Sequence, residues 1–361
     1  MKKVLFVSFA TKHSSYVRRV QDAQSPSFRL ESYSTNVDKN AQTIFQRLFN
    51  FSYLRLFLRL VTSDADVFWL WGIDVCFIGS IAKVLRPSKT VVWDISDINP
   101  HLVENSLKGR LLRAVERVLL QQSSWLFLTS PEFFERHYAR FIDQTKVVVI
   151  ENYLSHRLRG DTSKLPEISP FKVVYTGIFR SEKLLGLLSE LAIQMKSDAE
   201  FHVYGYCASG VDKELLASLS RIENVKVHGK YTMDDLPLIH ADSHLIFGLL
   251  DEDANDNERW LLPNRIYYAG AFRRPILANR GTFTGEVVLE RRLGTVCDLS
   301  VPDIICTIRR MTANNGAIYS NLQASIPSQG EYFLDGHYRR AIEKVIAALP
   351  GRSNAEADGA H

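Results

Sequence analysis

Short apolar runs alternate with helix-length periodic segments along almost the whole chain, and this alternation constrains the fold most. Residues 3–8, 67–71, 90–93, 125–129 and 146–150 read as strands. Residues 75–85, 107–121 and 131–138 read as helices between them, with Arg110, Arg113 and Arg117 on the polar side of the second. Strands that are apolar throughout, each followed by a helix, form a parallel sheet covered on both faces.

The alternation pauses over residues 155–170. This stretch is polar, contains Gly160, Pro166 and Pro170, and has no apolar period, so it reads as a linker. Strands are then expected at 171–176, 200–204, 225–227, 243–248 and 275–278, with helices at 183–194, 212–220 and 233–240. Two short apolar runs at 287–290 and 295–297 follow, and 337–349 reads as a last helix. The chain has 361 residues, enough for two ordinary domains. We place them at 1–156 and 168–335, with a C-terminal helix at 336–350 and a disordered tail at 351–361. The expected architecture is α/β, with two Rossmann-like parallel-sheet domains facing across a cleft. Ligands of such sheets sit at the carboxyl ends of the strands.

Charge is placed unevenly. Residues 1–155 carry 20 Lys and Arg against 14 Asp and Glu, while the remainder carries 24 against 26. A basic first half suggests an anionic partner such as a membrane surface. The excess is too mild and dispersed for nucleic acid, and no motif for it is present. The four cysteines follow no metal or disulfide spacing and read as buried hydrophobes in a reducing compartment. Neither a secretory signal nor a membrane span is expected. The start, Met1-Lys2-Lys3 followed by a four-residue apolar run, is too short for a signal. The longest apolar run, 67–85, is broken by Asp74 and Lys83. The expected location is cytoplasmic, peripheral on the inner face of the cell membrane.

The segment Leu262-Pro263-Asn264-Arg265-Ile266-Tyr267-Tyr268-Ala269-Gly270-Ala271-Phe272-Arg273-Arg274-Pro275 carries the chemistry. It puts a cation in the first turn of a helix, where the backbone dipole is already positive. A diphosphate site needs such a placement, because N–H groups and a cation then converge on one anion. Asn264 is expected to cap that helix. The segment resembles the donor-binding helix of GT-B glycosyltransferases, whose pattern reads roughly Pro-Asn-Lys-x-x-Glu-x-x-x-x-Gly-x-Pro-Val. Pro263, Asn264, Arg265 and Pro275 match it, with Arg for Lys. Tyr268 stands where the family usually has the Glu that contacts ribose, and Arg273 where it has Gly. Of the two glutamates that family 4 enzymes space seven residues apart, Glu258 supplies a first, and Ile266 stands eight places on.

Other segments fit the same family in order. They include Val91-Val92-Trp93-Asp94-Ile95-Ser96-Asp97, Leu128-Thr129-Ser130-Pro131, Val174-Tyr175-Thr176-Gly177-Ile178-Phe179-Arg180-Ser181-Glu182-Lys183 and Val227-His228-Gly229-Lys230-Tyr231. The glycine-rich loop after the first strand is missing, and Phe9-Ala10-Thr11-Lys12-His13-Ser14-Ser15 stands there. In this the chain resembles divergent bacterial polysaccharide-synthesis enzymes. The resemblance implies a metal-independent hexosyltransferase with no cofactor. It would use a UDP- or GDP-linked sugar donor and a lipid-linked or polysaccharide acceptor. A nucleotide-sugar epimerase and a non-catalytic scaffold are the alternatives on the same fold.

The resemblance implies that Gly177, Arg180 and Lys183 lie near the donor phosphates beside Arg265, with Tyr231, Asn264 and Tyr268 around the donor. Asp97 is the candidate base, Asp94 its rival, and His13 a third candidate. No Asp-x-Asp metal motif stands in a convincing place; Asp251-Glu252-Asp253 is an acidic loop in the donor half. Finally, residues 43–61 are expected to form a helix that is apolar almost all round. Arg47, Arg55 and Arg59 would gather on one side of it, suited to a bilayer surface.

Overall fold

The structure is a computed structural model, and it describes residues 1–9, 14–34, 51–160 and 167–349. His13 and Arg47 lie outside the described residues, as does the tail at 351–361.

Each half contains one six-stranded, wholly parallel sheet. The first has the order β2-β1-β3-β4-β5-β6. Its strands are β1 (Lys2–Ser8), β2 (Phe28–Ser34), β3 (Val67–Trp71), β4 (Thr90–Ile95), β5 (Trp125–Leu128) and β6 (Val147–Val149). The second has the order β12-β11-β10-β7-β8-β9. It comprises β7 (Phe171–Phe179), β8 (Ala199–Cys207), β9 (Val225–Gly229), β10 (Leu245–Phe247), β11 (Ile276–Asn279) and β12 (Gly294–Cys297). The helices that matter below are α1 (Ser14–Asp22), α2 (Phe51–Thr62), α3 (Ile73–Leu85), α4 (Leu107–Leu120), α5 (Glu182–Gln194), α6 (Asp256–Trp260), α7 (Asn264–Phe272) and α8 (His337–Ala347).

Burial on both faces explains the continuous apolar strands. In β1, Leu5 and Val7 enter the cluster under α2 and α3, while Val4 and Phe6 enter the one under α1 and α8. Successive side chains alternate faces, and both faces are covered.

Several sequence expectations need correction. Residues 28–34 form β2, an edge strand whose outward residues are polar, which hid it from a search for apolar runs. Residues 287–290 belong to a helix, Phe283–Glu290, because they follow a Thr282 cap rather than a turn. Residues 301–325 are helical on both sides of a kink at 313–316 and were missed altogether. The outward face of α4 is not simply polar: Leu107, Leu111, Val115 and Val118 are exposed. Its inward face instead buries Glu116, which accepts hydrogen bonds from His137 Nε2 at 2.7 Å and Tyr138 Oη at 3.0 Å. Burial raises the Tyr138 phenol well above its ordinary value.

The C-terminal helix returns to the first sheet. Tyr338, Ile342 and Val345 of α8 pack with Val4, Phe6 and Trp69, and the Tyr338 ring stacks on Trp69 at 5.6 Å. The Asp22 carboxylate at the end of α1 accepts from the backbone N–H groups of Gly336 and Tyr338, both at 2.7 Å. An α1 acid thereby caps α8, where the helix dipole favours it.

Candidate active site in the cleft between the sheets

Strand order fixes where a ligand can sit. The second sheet runs outward from β7 through β8 to β9, then restarts on the other side of β7 with β10. The carboxyl ends of β7 and β10 therefore flank its topological switch point, the usual crevice in such sheets. Arg180 follows β7, and Asp251 lies four residues beyond β10. Ser181 Oγ donates to Asp251 Oδ2 at 2.5 Å and bridges the two loops. Gly177 lies in β7 beside Gly205 of β8. A Cβ on Gly205 would stand 1.8 Å from the Gly177 carbonyl oxygen, so only glycine permits the strands to approach just before Arg180.

Helix α7 starts beside β7, with Arg265 of its first turn over the Tyr175 ring. Its residues from Arg265 to Phe272 are all buried, which suits a helix with apolar residues on every side. Pro263 occupies the N-cap position, and Asn264 is the first helical residue. The expectation that Asn264 caps the helix is thus corrected by one position. Its Oδ1 is buried without a hydrogen-bond partner. The helix stops at Arg273, which is left-handed (φ 49°), two residues before Pro275.

Arg265 is 7% exposed, and its guanidinium lies 4.7 Å from the Tyr175 ring centroid. Among the described residues it makes no ion pair. A buried cation without an ion pair is costly, and the Tyr175 ring offsets part of that cost. Two carboxylates lie farther off. Glu258 of α6 feels both Arg180 and Arg265, yet burial holds its carboxyl above the ordinary range. Asp97, two residues beyond β4, faces Arg180 across the cleft. Burial raises the Asp97 carboxyl against the pull of Arg180 and Arg19. Asp97 raises the Arg180 guanidinium in turn. Asp97 is nonetheless exposed to solvent, so the rise comes from the protein lining the cleft around it and not from enclosure.

The remaining sequence-chosen residues separate clearly. Asp94 is 1% exposed and accepts from Arg19 Nε at 2.8 Å, Arg19 Nη2 at 2.9 Å and Trp69 Nε1 at 3.0 Å. Its role is structural, since its oxygens are engaged beneath the cleft floor. Arg19 Nη2 also donates to Ser96 Oγ at 2.9 Å, which holds the turn that carries Asp97. Lys183 is half-exposed and paired with Asp253 at 2.7 Å and Asp251 at 3.6 Å, so the acidic loop occupies its charge. Tyr231 and Tyr268 lie near each other, and burial raises both phenols. Tyr268 is also near Met233, with Oη 3.9 Å from Sδ. Arg55 and Arg59 stand one turn apart on α2 and are both exposed, and Arg59 pairs with Glu31 at 3.4 Å.

Three residues escaped the sequence reading as site members. Tyr175 is one, because an aromatic inside a strand signals core. Glu258 was read as a family position and given no role in the site. Arg18 of α1 is buried, with its Nη2 donating to Asn152 Oδ1 at 2.9 Å, and it lies near Tyr268. Burial lowers its pKa. Nothing local in the sequence marks it.

The two halves are joined around this crevice. Asn257 Oδ1 of α6 accepts from the Ile98 N–H at 3.0 Å, and Ser130 Oγ donates to the Trp260 carbonyl at 2.7 Å. Glu151 receives both Nη atoms of Arg291 at 2.7 Å each. Among the described residues there is no cluster of potential metal ligands and no helix long and apolar enough to cross a membrane.

No protein-family profile matches the chain. In sequence it is similar to the succinoglycan biosynthesis protein ExoL of Rhizobium meliloti (strain 1021), 25% identical over 269 residues. The match covers 72% of this chain and 66% of that protein. Among solved structures it is similar to Alr3699/HepE of Anabaena in complex with UDP and glucose. That match has 13% identity and a TM-score of 0.68, over 97% of this chain and 100% of the other. The lipopolysaccharide outer core galactosyltransferase WaaB gives 11% identity and a TM-score of 0.62, over 96% and 99% of the two chains. The UDP-GlcNAc 2-epimerase of Neisseria meningitidis bound to UDP-GlcNAc gives 14% and 0.66, over 96% and 100%. With its two parallel sheets facing a shared crevice, the chain has the GT-B fold.

Proposed function

We propose that the protein is a glycosyltransferase of bacterial surface-polysaccharide synthesis. It moves a hexose from a UDP- or GDP-linked donor to a lipid-linked or polysaccharide acceptor at the cytoplasmic face of the membrane. The observation that carries this reading is Arg265: a buried guanidinium in the first turn of α7 that makes no ion pair among the described residues, with Arg180 at the adjacent switch point. The sequence similarity to a succinoglycan biosynthesis protein supports the same pathway class.

The proposed chemistry is a displacement at the anomeric carbon. The bond from that carbon to the diphosphate oxygen breaks, and the electron pair leaves on the diphosphate. Arg265, Arg180 and the α7 N–H groups stabilise the charge as it develops. The acceptor hydroxyl oxygen forms the new bond to carbon. If the sugar inverts, the hydroxyl proton passes to Asp97, whose raised pKa makes it a better base than an ordinary carboxylate. Cationic side chains take the place of a metal, and the donor is a substrate rather than a cofactor.

The second reading is a nucleotide-sugar epimerase, because such enzymes share the fold at similar coverage. Incubation with a panel of UDP and GDP sugars, with and without a membrane extract, decides between them. Release of UDP or GDP only with acceptor supports transfer. Sugar interconversion without acceptor identifies an epimerase, and nucleotide binding without turnover identifies a scaffold.

A further inference from the structure

Among the described residues, the first domain carries an exposed apolar surface outside the cleft. Helices α2, α3 and α4 lie side by side on one face of the first sheet, opposite α1 and α8. Their inward residues fill the core, yet their outward faces are also apolar. On α4, Leu107, Leu111, Val115 and Val118 recur at helical spacing and are all exposed, Leu107 by 76% and Leu111 by 66%. Phe51, Leu54 and Leu58 form a similar stripe on α2, and Ile81, Val84 and Leu85 one on α3. Single exposed hydrophobes need no explanation, but three adjacent stripes do.

Charge identifies what would cover them. Exposed Lys108, Arg110 and Arg117 interleave with the apolar stripe of α4, and exposed Arg55 with that of α2. The only carboxylates on the three helices are Asp74, which is half-buried, and Glu116, which is fully buried and hydrogen-bonded. Protein interfaces are depleted of charge at their cores and rich in aromatic residues, whereas here cations run through stripes that are mostly aliphatic. A surface of aliphatic side chains with long cations between them suits lipid, where the stems lie along the acyl boundary and the charged ends reach phosphates.

The surface also leads to the cleft. Leu107 follows Asp97 by ten residues, and the short helix Pro100–Val103 between them packs against α6 of the second domain. We propose that the outward faces of α2, α3 and α4 dock the protein on an anionic bilayer, with the N-terminal end of α4 lowest and the cleft mouth beside it. An acceptor anchored in that bilayer would then reach Asp97 without leaving the membrane. This last step rests on the transferase reading; the docking itself does not.

Flotation of the full-length protein with vesicles tests the docking without any sugar nucleotide. Vesicles of phosphatidylcholine alone and of phosphatidylcholine with 30% phosphatidylglycerol are compared. We expect binding to the anionic vesicles at low salt and release at high salt. Leu111→Glu with Val118→Glu should lower the bound fraction at least tenfold, and Arg110→Glu with Arg117→Glu should do the same. UDP affinity and melting temperature should stay at the wild-type values, because all four side chains are exposed. Ile193→Glu, an exposed apolar position on α5 in the other domain, should change nothing. The proposal is overturned if the wild type ignores anionic vesicles, binds neutral ones equally well, or binds unchanged in both double variants. It is also overturned if sedimentation shows a dimer that Leu111→Glu dissolves while vesicle binding persists, since the surface would then join two copies. Vesicle binding without any glycosyl transfer would refute the transferase reading and leave the docking intact.

Discussion

Replacing Arg265 by Met separates a ligand-binding arginine from a structural one. Methionine keeps much of the apolar stem and removes the charge. In the free protein two effects oppose each other. Loss of the contact with Tyr175 costs about 0.5–2 kcal/mol. Relief of a buried cation that makes no ion pair among the described residues offsets a similar amount. Urea unfolding should therefore show a stability change within about 1 kcal/mol. The bound state differs, because Arg265 then makes charge-assisted hydrogen bonds to phosphate, each contributing roughly 1.5–3 kcal/mol. Calorimetric titration of UDP and GDP should accordingly show affinity weakened by roughly 10- to 150-fold. UMP, which lacks the outer phosphate, should lose less. Arg19 is the control: it is fully buried but paired to Asp94, so Arg19→Met should cost roughly 3–5 kcal/mol of stability. Equal UDP affinity in wild type and Arg265→Met would refute the reasoning. So would a stability loss as large as that of Arg19→Met, which would mark Arg265 as structural.

Other outcomes follow from the same site. Asp97→Asn should reduce kcat by at least about 100-fold while leaving UDP affinity within roughly twofold, as measured by turnover and calorimetry. Its effect on stability should have the opposite sign. The folded pKa of Asp97 is raised, so the folded state binds the proton more tightly, and stability falls as pH rises from the unfolded value through the folded one. Asp97→Asn should therefore melt higher than wild type at pH 7, with the gap closing as pH falls into the ordinary carboxylate range. Gly205→Ala should cost about 1–3 kcal/mol and weaken UDP binding, because its Cβ would meet the Gly177 carbonyl at 1.8 Å; a wild-type melting curve would count against that close contact. Turnover should persist after chelation with EDTA, and abolition with rescue by manganese or magnesium would show that a metal carries the diphosphate charge.

The parts legible in the sequence were those with local causes. Alternation of apolar strands and helices specified two parallel sheets, because burial on both faces leaves that pattern in any order of strands. Arg265 stands out in the sequence because a cation in a first turn opposes the dipole, and the structure buries it in that turn. Less was readable where the cause lay far along the chain. Asp94 and Asp97 are three residues apart on one strand end, and their difference comes from Arg19, 75 positions before Asp94. The ion pair of Lys183 joins it to an acidic loop 70 positions on, a partner its own neighbourhood in the sequence does not reveal. The exposed stripe on α4 has the period of a core-facing stripe, and periodicity alone does not say which side of a helix meets the sheet. What the sequence showed there was arginines on a polar side; the sheet had instead claimed Glu116.

The return of α8 to the first sheet has a consequence for how the protein is made. Phe6 and Trp69 leave the ribosome ahead of the second domain, but Tyr338, Ile342 and Val345, which close that core, follow it. The second domain has no such debt, since its clusters are drawn from residue 154 onward. Of the two domains, the one synthesised first thus becomes complete last. A nascent first domain would wait with one sheet face uncovered, in need of either α8 or a chaperone.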